Sequence, residues 1–152
     1  MLGNFTFHNP TKLYFGENSL ENLGKELGKY GEKVMLVYGG GSIRKNGIYD
    51  AVLAELRKAG KQTVELSGVM PNPTIEKVME GVALARKEAV DLILAVGGGS
   101  VCDYCKAVAG SAYCEHDPWE YYFNNFGEMT CRWIPVGCVL TLSLIHISEP
   151  TR

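Results

Sequence analysis

The sequence predicts an α/β fold, an open and mostly parallel sheet flanked by helices, and three observations lead there. Two mostly apolar runs, Lys33-Val34-Met35-Leu36-Val37-Tyr38 and Asp91-Leu92-Ile93-Leu94-Ala95-Val96, have the near-continuous hydrophobicity of strands covered on both faces. Each runs directly into a glycine run, Gly39-Gly40-Gly41-Ser42 or Gly97-Gly98-Gly99-Ser100, with a helical pattern beyond it. Strand and helix patterns then alternate along the chain, which is the mark of parallel pairing through helical crossovers.

Each element has its own local reason. Phe5-Thr6-Phe7-His8-Asn9-Pro10 and Lys12-Leu13-Tyr14-Phe15-Gly16 alternate about an Asn-Pro break, which predicts an N-terminal β-hairpin. Asn18 and Glu21 have capping-box spacing, Leu20, Leu23 and Leu27 share a helical face, and Gly28 with Gly31 closes that helix. After the first glycine run, Ile48, Val52, Leu53 and Leu56 line one face of a helix expected over residues 43–59, with Gly60 as its stop. Gln62-Thr63-Val64-Glu65-Leu66 alternates as a strand, Pro71-Asn72-Pro73-Thr74 is a rigid turn, and Ile75, Val78, Met79, Val82 and Ala83 line a third helix. A helix over 101–112 follows the second glycine run. Residues 113–132 read as irregular and aromatic, and Trp133-Ile134-Pro135-Val136 with Val139-Leu140-Thr141 predicts a last strand.

Composition excludes several functions. The chain has 152 residues, enough for one core, and its 15 basic against 17 acidic residues leave no broad positive field for nucleic acid or anionic lipid. No apolar run approaches the ~20 residues of a membrane span, and Met1-Leu2-Gly3-Asn4 does not open an export signal. Five cysteines, Cys102, Cys105, Cys114, Cys131 and Cys138, are an odd number gathered late in the chain, which suits a reducing cytoplasm better than a disulfide framework. Cys102 and Cys105 form C-x-x-C at a helix start, where the dipole lowers a thiol pKa; without a second such pair, a packing role is favoured over a zinc or redox site. His8, His116 and His146 include no His-x3-His pair, so none is expected to hold a metal. The aromatic group Trp119, Tyr121, Tyr122, Phe123 and Phe126 lacks a basic stripe, so it is expected to pack under a loop or against another domain rather than stack on bases.

The glycine junctions carry the chemistry. Glycines between a buried strand and a helix admit positive φ and let an anion approach peptide N–H groups without meeting a Cβ, while the helix start adds partial positive charge. Phosphate is the expected guest. Neither run has the G-x-G-x-x-G spacing of a dinucleotide fingerprint or the Gly-Lys-Ser/Thr ending of a P-loop, and Ser100 with Asp103 has the form of a cap, leaving capping and ligand contact both open.

Four motifs in register then bring out a resemblance. Tyr38-Gly39-Gly40-Gly41-Ser42-Ile43, Pro71-Asn72-Pro73-Thr74, Gly97-Gly98-Gly99-Ser100-Val101-Cys102-Asp103-Tyr104-Cys105-Lys106-Ala107 and Pro135-Val136-Gly137-Cys138-Val139-Leu140-Thr141-Leu142 resemble the iron-containing alcohol dehydrogenase family, nearest its NADPH-dependent butanol dehydrogenase branch. The resemblance implies a Rossmann-like dinucleotide-binding domain over residues 1–141. It implies a pyrophosphate on Gly98, Gly99 and Ser100, with Asn72, Asp103 and Thr141 in or near the same cleft. NAD-preferring members commonly carry an acidic residue where Gly39, Gly40 and Gly41 stand here, followed by Ser42, Arg44 and Lys45, so NADP(H) is expected over NAD(H). Taken singly, Arg44 and Lys45 read as a solvated helix face ahead of ligand contact.

The resemblance also implies a helical C-terminal domain, absent from this chain, in which one aspartate and three histidines hold divalent iron or zinc. On that reading the fragment is itself inactive, its full-length parent is a cytoplasmic homodimer acting on a small alcohol or aldehyde, and neither nucleic acid nor membrane is a partner. Residues 142–152 depart from the family and look like the in-frame translation of a transposase adaptor used in preparing DNA libraries, hence a non-native tail. A freestanding nucleotide-binding module and an enzyme like glycerol dehydrogenase or dehydroquinate synthase are the competing readings.

Overall fold

The computed structural model describes residue 6 and residues 8–141, apart from the side chain of Phe123. Four strands, β1 (Lys33–Tyr38), β2 (Gln62–Leu66), β3 (Leu92–Gly97) and β4 (Val136–Leu140), pair in parallel throughout, in the order β2-β1-β3-β4. Helices α1 (Leu23–Leu27), α2 (Ser42–Lys45), α3 (Ile48–Lys58), α4 (Ile75–Glu88) and α5 (Gly99–Ser111) connect and cover them.

Strand alternation divides the core in two. Met35, Val37, Ile93 and Ala95 face α4 and α5, where they meet Val78, Val82, Tyr104, Cys105 and Val108. Val34, Leu36, Tyr38, Leu92, Leu94 and Val96 face the other way, onto Leu27, Ile43, Val52 and Leu56. Because both faces are covered, β1 and β3 have no polar alternation, which is why they appear in the sequence as continuous apolar runs. Burying each such Val, Leu or Ile contributes roughly 1.5–3 kcal/mol, so the two central strands anchor the domain.

Local departures from the sequence reading have identifiable causes. The helix expected over 43–59 is two helices, because Gly47 takes a left-handed φ of 77° and the Asn46 side chain accepts the Ile48 amide at 3.2 Å, restarting the chain as α3. The helix expected after Asn18 opens instead as a 3-10 turn over Ser19–Asn22, and Asn18 makes no side-chain cap bond. Thr74 does cap α4, its hydroxyl accepting the Lys77 amide at 3.5 Å. The aromatic stretch contains a π-helical turn, Trp119–Asn124.

The expected N-terminal hairpin is not formed among the described residues. Phe5 and Phe7 of its first arm lie outside them, and residues 12–16, its second arm, carry no strand pairing. Leu13 and Phe15 are 82% and 96% exposed there, so the arm packs against no apolar surface among the described residues, and a lone hairpin without such packing is at best marginal in water.

Two backbone positions in the α4 layer make opposite predictions. A Cβ at Gly81 would overlap the Tyr104 hydroxyl, itself bonded to the Lys77 carbonyl at 2.8 Å, and would lie 2.8 Å from a Val108 methyl. Gly81→Ala is therefore expected to destabilise by about 1–3 kcal/mol through overpacking. Ala89 ends α4 in a left-handed conformation, φ 52°, which glycine adopts freely, so Ala89→Gly is expected to stabilise by about 1 kcal/mol. Urea denaturation of the two variants checks both signs.

Candidate functional site

In a doubly wound sheet the ligand crevice opens at the carboxyl ends of adjacent strands whose connections leave in opposite directions. Here that point lies between β1, whose chain crosses to β2 on one side, and β3, whose chain crosses to β4 on the other. The two strands are in register from Val34↔Leu92 to Tyr38↔Val96, so Gly39-Gly40-Gly41-Ser42 and Gly97-Gly98-Gly99-Ser100 leave the sheet side by side. Both runs converge on one side chain. A Cβ at Gly97 would lie 2.7 Å from a Val101 methyl, and a Cβ at Gly39 would lie 3.8 Å from that same methyl.

The glycines act through space rather than through unusual dihedrals. None of the two runs is among the positive-φ residues, which are Gly16, Gly47, Gly60 and Gly68 together with Asn72, Ala89 and Phe126. The left-handed backbone expected at these junctions is thus absent: the chain leaves each strand through ordinary conformations, with Gly98 at φ −86° and Gly41 at φ −83°. Gly39 is needed for close approach, since a Cβ there would meet the Val69 carbonyl at 3.1 Å. That carbonyl belongs to a loop pinned by Gly68 N–H to Gly39 O at 3.0 Å and Val69 N–H to Tyr38 O at 3.3 Å. Gly40 and Gly41 face open space.

The start of α5 supplies the anion-attracting end. Its N-cap is Gly98, which offers no side-chain oxygen to the first-turn amides, and the first turn carries no acidic residue. The N–H groups of Gly99 and Ser100 therefore point out of the helix end without a capping side chain to satisfy them. Thr141 is held at the same edge by its own amide, which donates to Gly97 O at 3.0 Å.

Two further expected site residues are Asp103 and Asn72. The Ser100–Asp103 cap does not form, because Ser100 already lies inside α5 and Gly98 is the cap position. Asp103 is exposed, pairs with Lys106 at 3.4 Å, and lines a cavity of about 340 Å³ between α4, α5 and the π-helical turn, with Pro73, Tyr104 and Trp119 among its walls. Asn72 is exposed in the loop after β2 at φ 52°, on the carboxyl side of the sheet.

The sequence reading missed a polar cradle beside Gly39. Tyr38, the last residue of β1, donates its hydroxyl proton to Glu65 Oε2 at 2.8 Å and accepts from Arg44 Nη2 at 2.6 Å. Tyr49 donates to Glu65 Oε1 at 2.8 Å, and the Arg44 guanidinium lies 4.1 Å from the centre of the Tyr49 ring and 3.5 Å from the Glu65 carboxylate. Arg44 is thus a fixed guanidinium rather than a freely solvated one, and its bond to Tyr38 holds its pKa above the ordinary arginine value. One signal was available: Glu65 pairs with Leu36 in the β1–β2 register, and Leu36 shares its face with Tyr38.

The C-x-x-C pair is packing. Cys102 and Cys105 are buried free thiols in the core beneath α5. Contact with Cys138 and burial push the Cys102 thiol up, and burial pushes Cys105 up, the opposite of the helix-dipole expectation. Among the described residues no three His, Cys, Asp or Glu side chains gather into a metal site; His8 is exposed, and His116 stacks on Tyr121 at 4.9 Å. His146 lies outside the described residues.

Fold and crevice together define a doubly wound α/β domain with an anion-receptive switch point. The model of the iron-containing alcohol dehydrogenases matches residues 10–143, and the chain belongs to that family. It is 47% identical over 140 residues to the probable NADH-dependent butanol dehydrogenase 1 of Bacillus subtilis, covering 92% of this chain and 36% of the relative. It is 41% identical over 143 residues to the NADPH-dependent aldehyde reductase YqhD of Escherichia coli, covering 93% of this chain and 36% of the relative. The crystal structure of NADH-dependent butanol dehydrogenase A from Thermotoga maritima superposes with a TM-score of 0.85 at 46% identity, over 92% of this chain and 35% of that one. The chain therefore spans about a third of the length of the relatives it matches. The described residues do not fit the metal in the family's name, since no three His, Cys, Asp or Glu side chains among them gather into a site.

The two kinds of glycine in the crevice are separable by stability. Gly97→Ala drives a methyl into Val101 and is expected to cost about 1–3 kcal/mol. Gly40→Ala meets nothing and is expected to stay within about 0.5 kcal/mol of the unsubstituted chain. Equal urea midpoints for the two would contradict this division.

Proposed function

We propose that residues 1–141 are the coenzyme-binding domain of a metal-dependent alcohol dehydrogenase or aldehyde reductase that takes NADP(H) in preference to NAD(H). On this reading the coenzyme's pyrophosphate rests on Gly98, Gly99 and Ser100, its adenosine ribose lies over Gly39, Gly40, Gly41 and Ser42, and Asn72, Asp103 and Thr141 border the cleft. The observation that carries it is the convergence of the two glycine runs on Val101, with the uncapped start of α5 beside the open space over Gly40 and Gly41. When bound, the coenzyme supplies a hydride acceptor or donor for a small alcohol or aldehyde. The chain's own part is to orient it, with first-turn amides on the diphosphate and an uncharged floor under the ribose.

The preference for NADP(H) is supported by that floor, which sets no carboxylate against a 2′-phosphate, and by Arg44 close by. Relatives named for each coenzyme exist, NADH for the Bacillus protein and NADPH for the Escherichia protein, so the family alone does not decide it. Residues 142–152 are part of the same proposal, as a foreign tail on a fragment; the family match ends at residue 143. Homodimerisation through the N-terminal segment is supported by exposed Leu13 and Phe15. The metal site is assigned to a part of the enzyme other than the described residues.

Calorimetric titration of the 152-residue chain is the test. NADP+ is expected to bind at least tenfold more tightly than NAD+, and Gly40→Asp to reverse that order by placing a carboxylate on the ribose floor. Equal affinities would contradict the preference, and no binding of either would contradict the coenzyme reading. With ethanol or butanol, NADP+ and added iron or zinc, no reduction is expected; measurable turnover would overturn the assignment of catalysis to absent residues.

A further inference from the structure

Among the described residues, Glu65 is the carboxylate that the cradle beside the glycine floor surrounds. Tyr38 and Tyr49 each donate to one of its oxygens at 2.8 Å, and the Arg44 guanidinium is 3.5 Å from Oε2. The arrangement is at the surface, with the Arg44 side chain 53% and the Glu65 side chain 39% exposed, so neither charge is locked in a dry interior. Arg44 lies in α2, which follows Gly39-Gly40-Gly41 directly, and its amide bonds back to Gly41 O at 3.2 Å. Its guanidinium is bonded to Tyr38, the residue before the glycine run, and lies 4.1 Å from the centre of the Tyr49 ring.

We propose that Glu65 sets the coenzyme discrimination of this domain by acting through Arg44, as an internal carboxylate that competes with a 2′-phosphate for the guanidinium. A planar guanidinium pairs with either a carboxylate or a phosphate along the same edge, so an anion already on Arg44 lowers what a second anion gains there. The glycine floor admits the 2′-phosphate. The Arg44–Glu65 pair limits how strongly it is then held. Glu65 is therefore a positioning residue for Arg44, and the two tyrosines hold the pair in place. The inference rests on the coenzyme-site reading and adds to it the residue that tunes the choice.

The test is a double-mutant cycle on the full 152-residue chain, reading the ratio of NADP+ to NAD+ affinity by calorimetry. Removing the charge with Glu65→Gln, which keeps the shape and a hydrogen-bonding oxygen, is expected to raise that ratio about tenfold, the size of one partly screened charge contact. Glu65→Asp is expected to return the ratio toward that of the unsubstituted chain. Arg44→Met is expected to lower the ratio, and Glu65→Gln added to Arg44→Met to change it no further. A merely structural loss weakens both coenzymes together and leaves the ratio alone. An unchanged or lowered ratio in Glu65→Gln, or the same tenfold rise without Arg44, overturns this inference while leaving the coenzyme site standing. Failure of the unsubstituted chain to bind either coenzyme overturns both.

Discussion

Parallel pairing of β1 with β3 is the constraint on which the rest of the structure depends. Five residue pairs, from Val34↔Leu92 to Tyr38↔Val96, hold the strands in a register that releases both glycine runs at one edge. Had either strand shifted by one residue, its buried set would have moved to the opposite face and the two strand ends would no longer have met at Val101. The register is kept because both faces are covered. Met35 and Val37 are held by the α4 and α5 layer, Val34 and Leu36 by the α1 and α3 layer, all with no exposure. Core packing and site geometry are in this sense one property, since the same side chains decide both.

At the crevice, small residues serve three distinct purposes. Gly39 lets a neighbouring carbonyl approach, Gly97 makes room for Val101, and Gly40 and Gly41 leave volume that no protein atom occupies. The first two are internal packing; only the last pair reserves space for something else. The electrostatic part comes from the uncapped first turn of α5, where partial positive charge is concentrated and no acidic side chain cancels it. Buried thiols at Cys102 and Cys105 fill the space beneath that turn without adding charge to it, their pKa values being driven up rather than down.

The parts legible in the sequence were those governed by local patterns. The buried strands, the strand-glycine-helix junctions and the helix over 75–88 follow from hydrophobic period, glycine placement and the rigid Pro71-Asn72-Pro73-Thr74 turn, each of which acts within a few residues. The break at Asn46-Gly47 was harder, because Ile43 and the Ile48, Val52 and Leu56 series can be drawn on one continuous helix until the left-handed Gly47 divides them. The expected hairpin is a different case: Leu13 and Phe15 alternate as a strand would but are exposed, and Phe5 and Phe7 of the opposite arm lie outside the described residues. Arg44 was read as a surface residue because its partners, Tyr38, Tyr49 and Glu65, come from β1, α3 and β2, and only the register of two strands brings them together. Asp103, which the resemblance implies in or near the cleft, lies past the first turn of α5, where it also pairs with Lys106.

The chain belongs to the iron-containing alcohol dehydrogenase family and spans about a third of the length of its relatives. The most direct measurement is an amide-resolved NMR titration with NADP+. The largest shifts are expected at Gly40, Gly41, Gly99 and Ser100, with the opposite edge of the sheet at Lys33, Gln62 and Leu92 unmoved. Shifts concentrated at that opposite edge, or in the cavity walls around Tyr104 and Trp119, would show that the two glycine runs do not form the binding site.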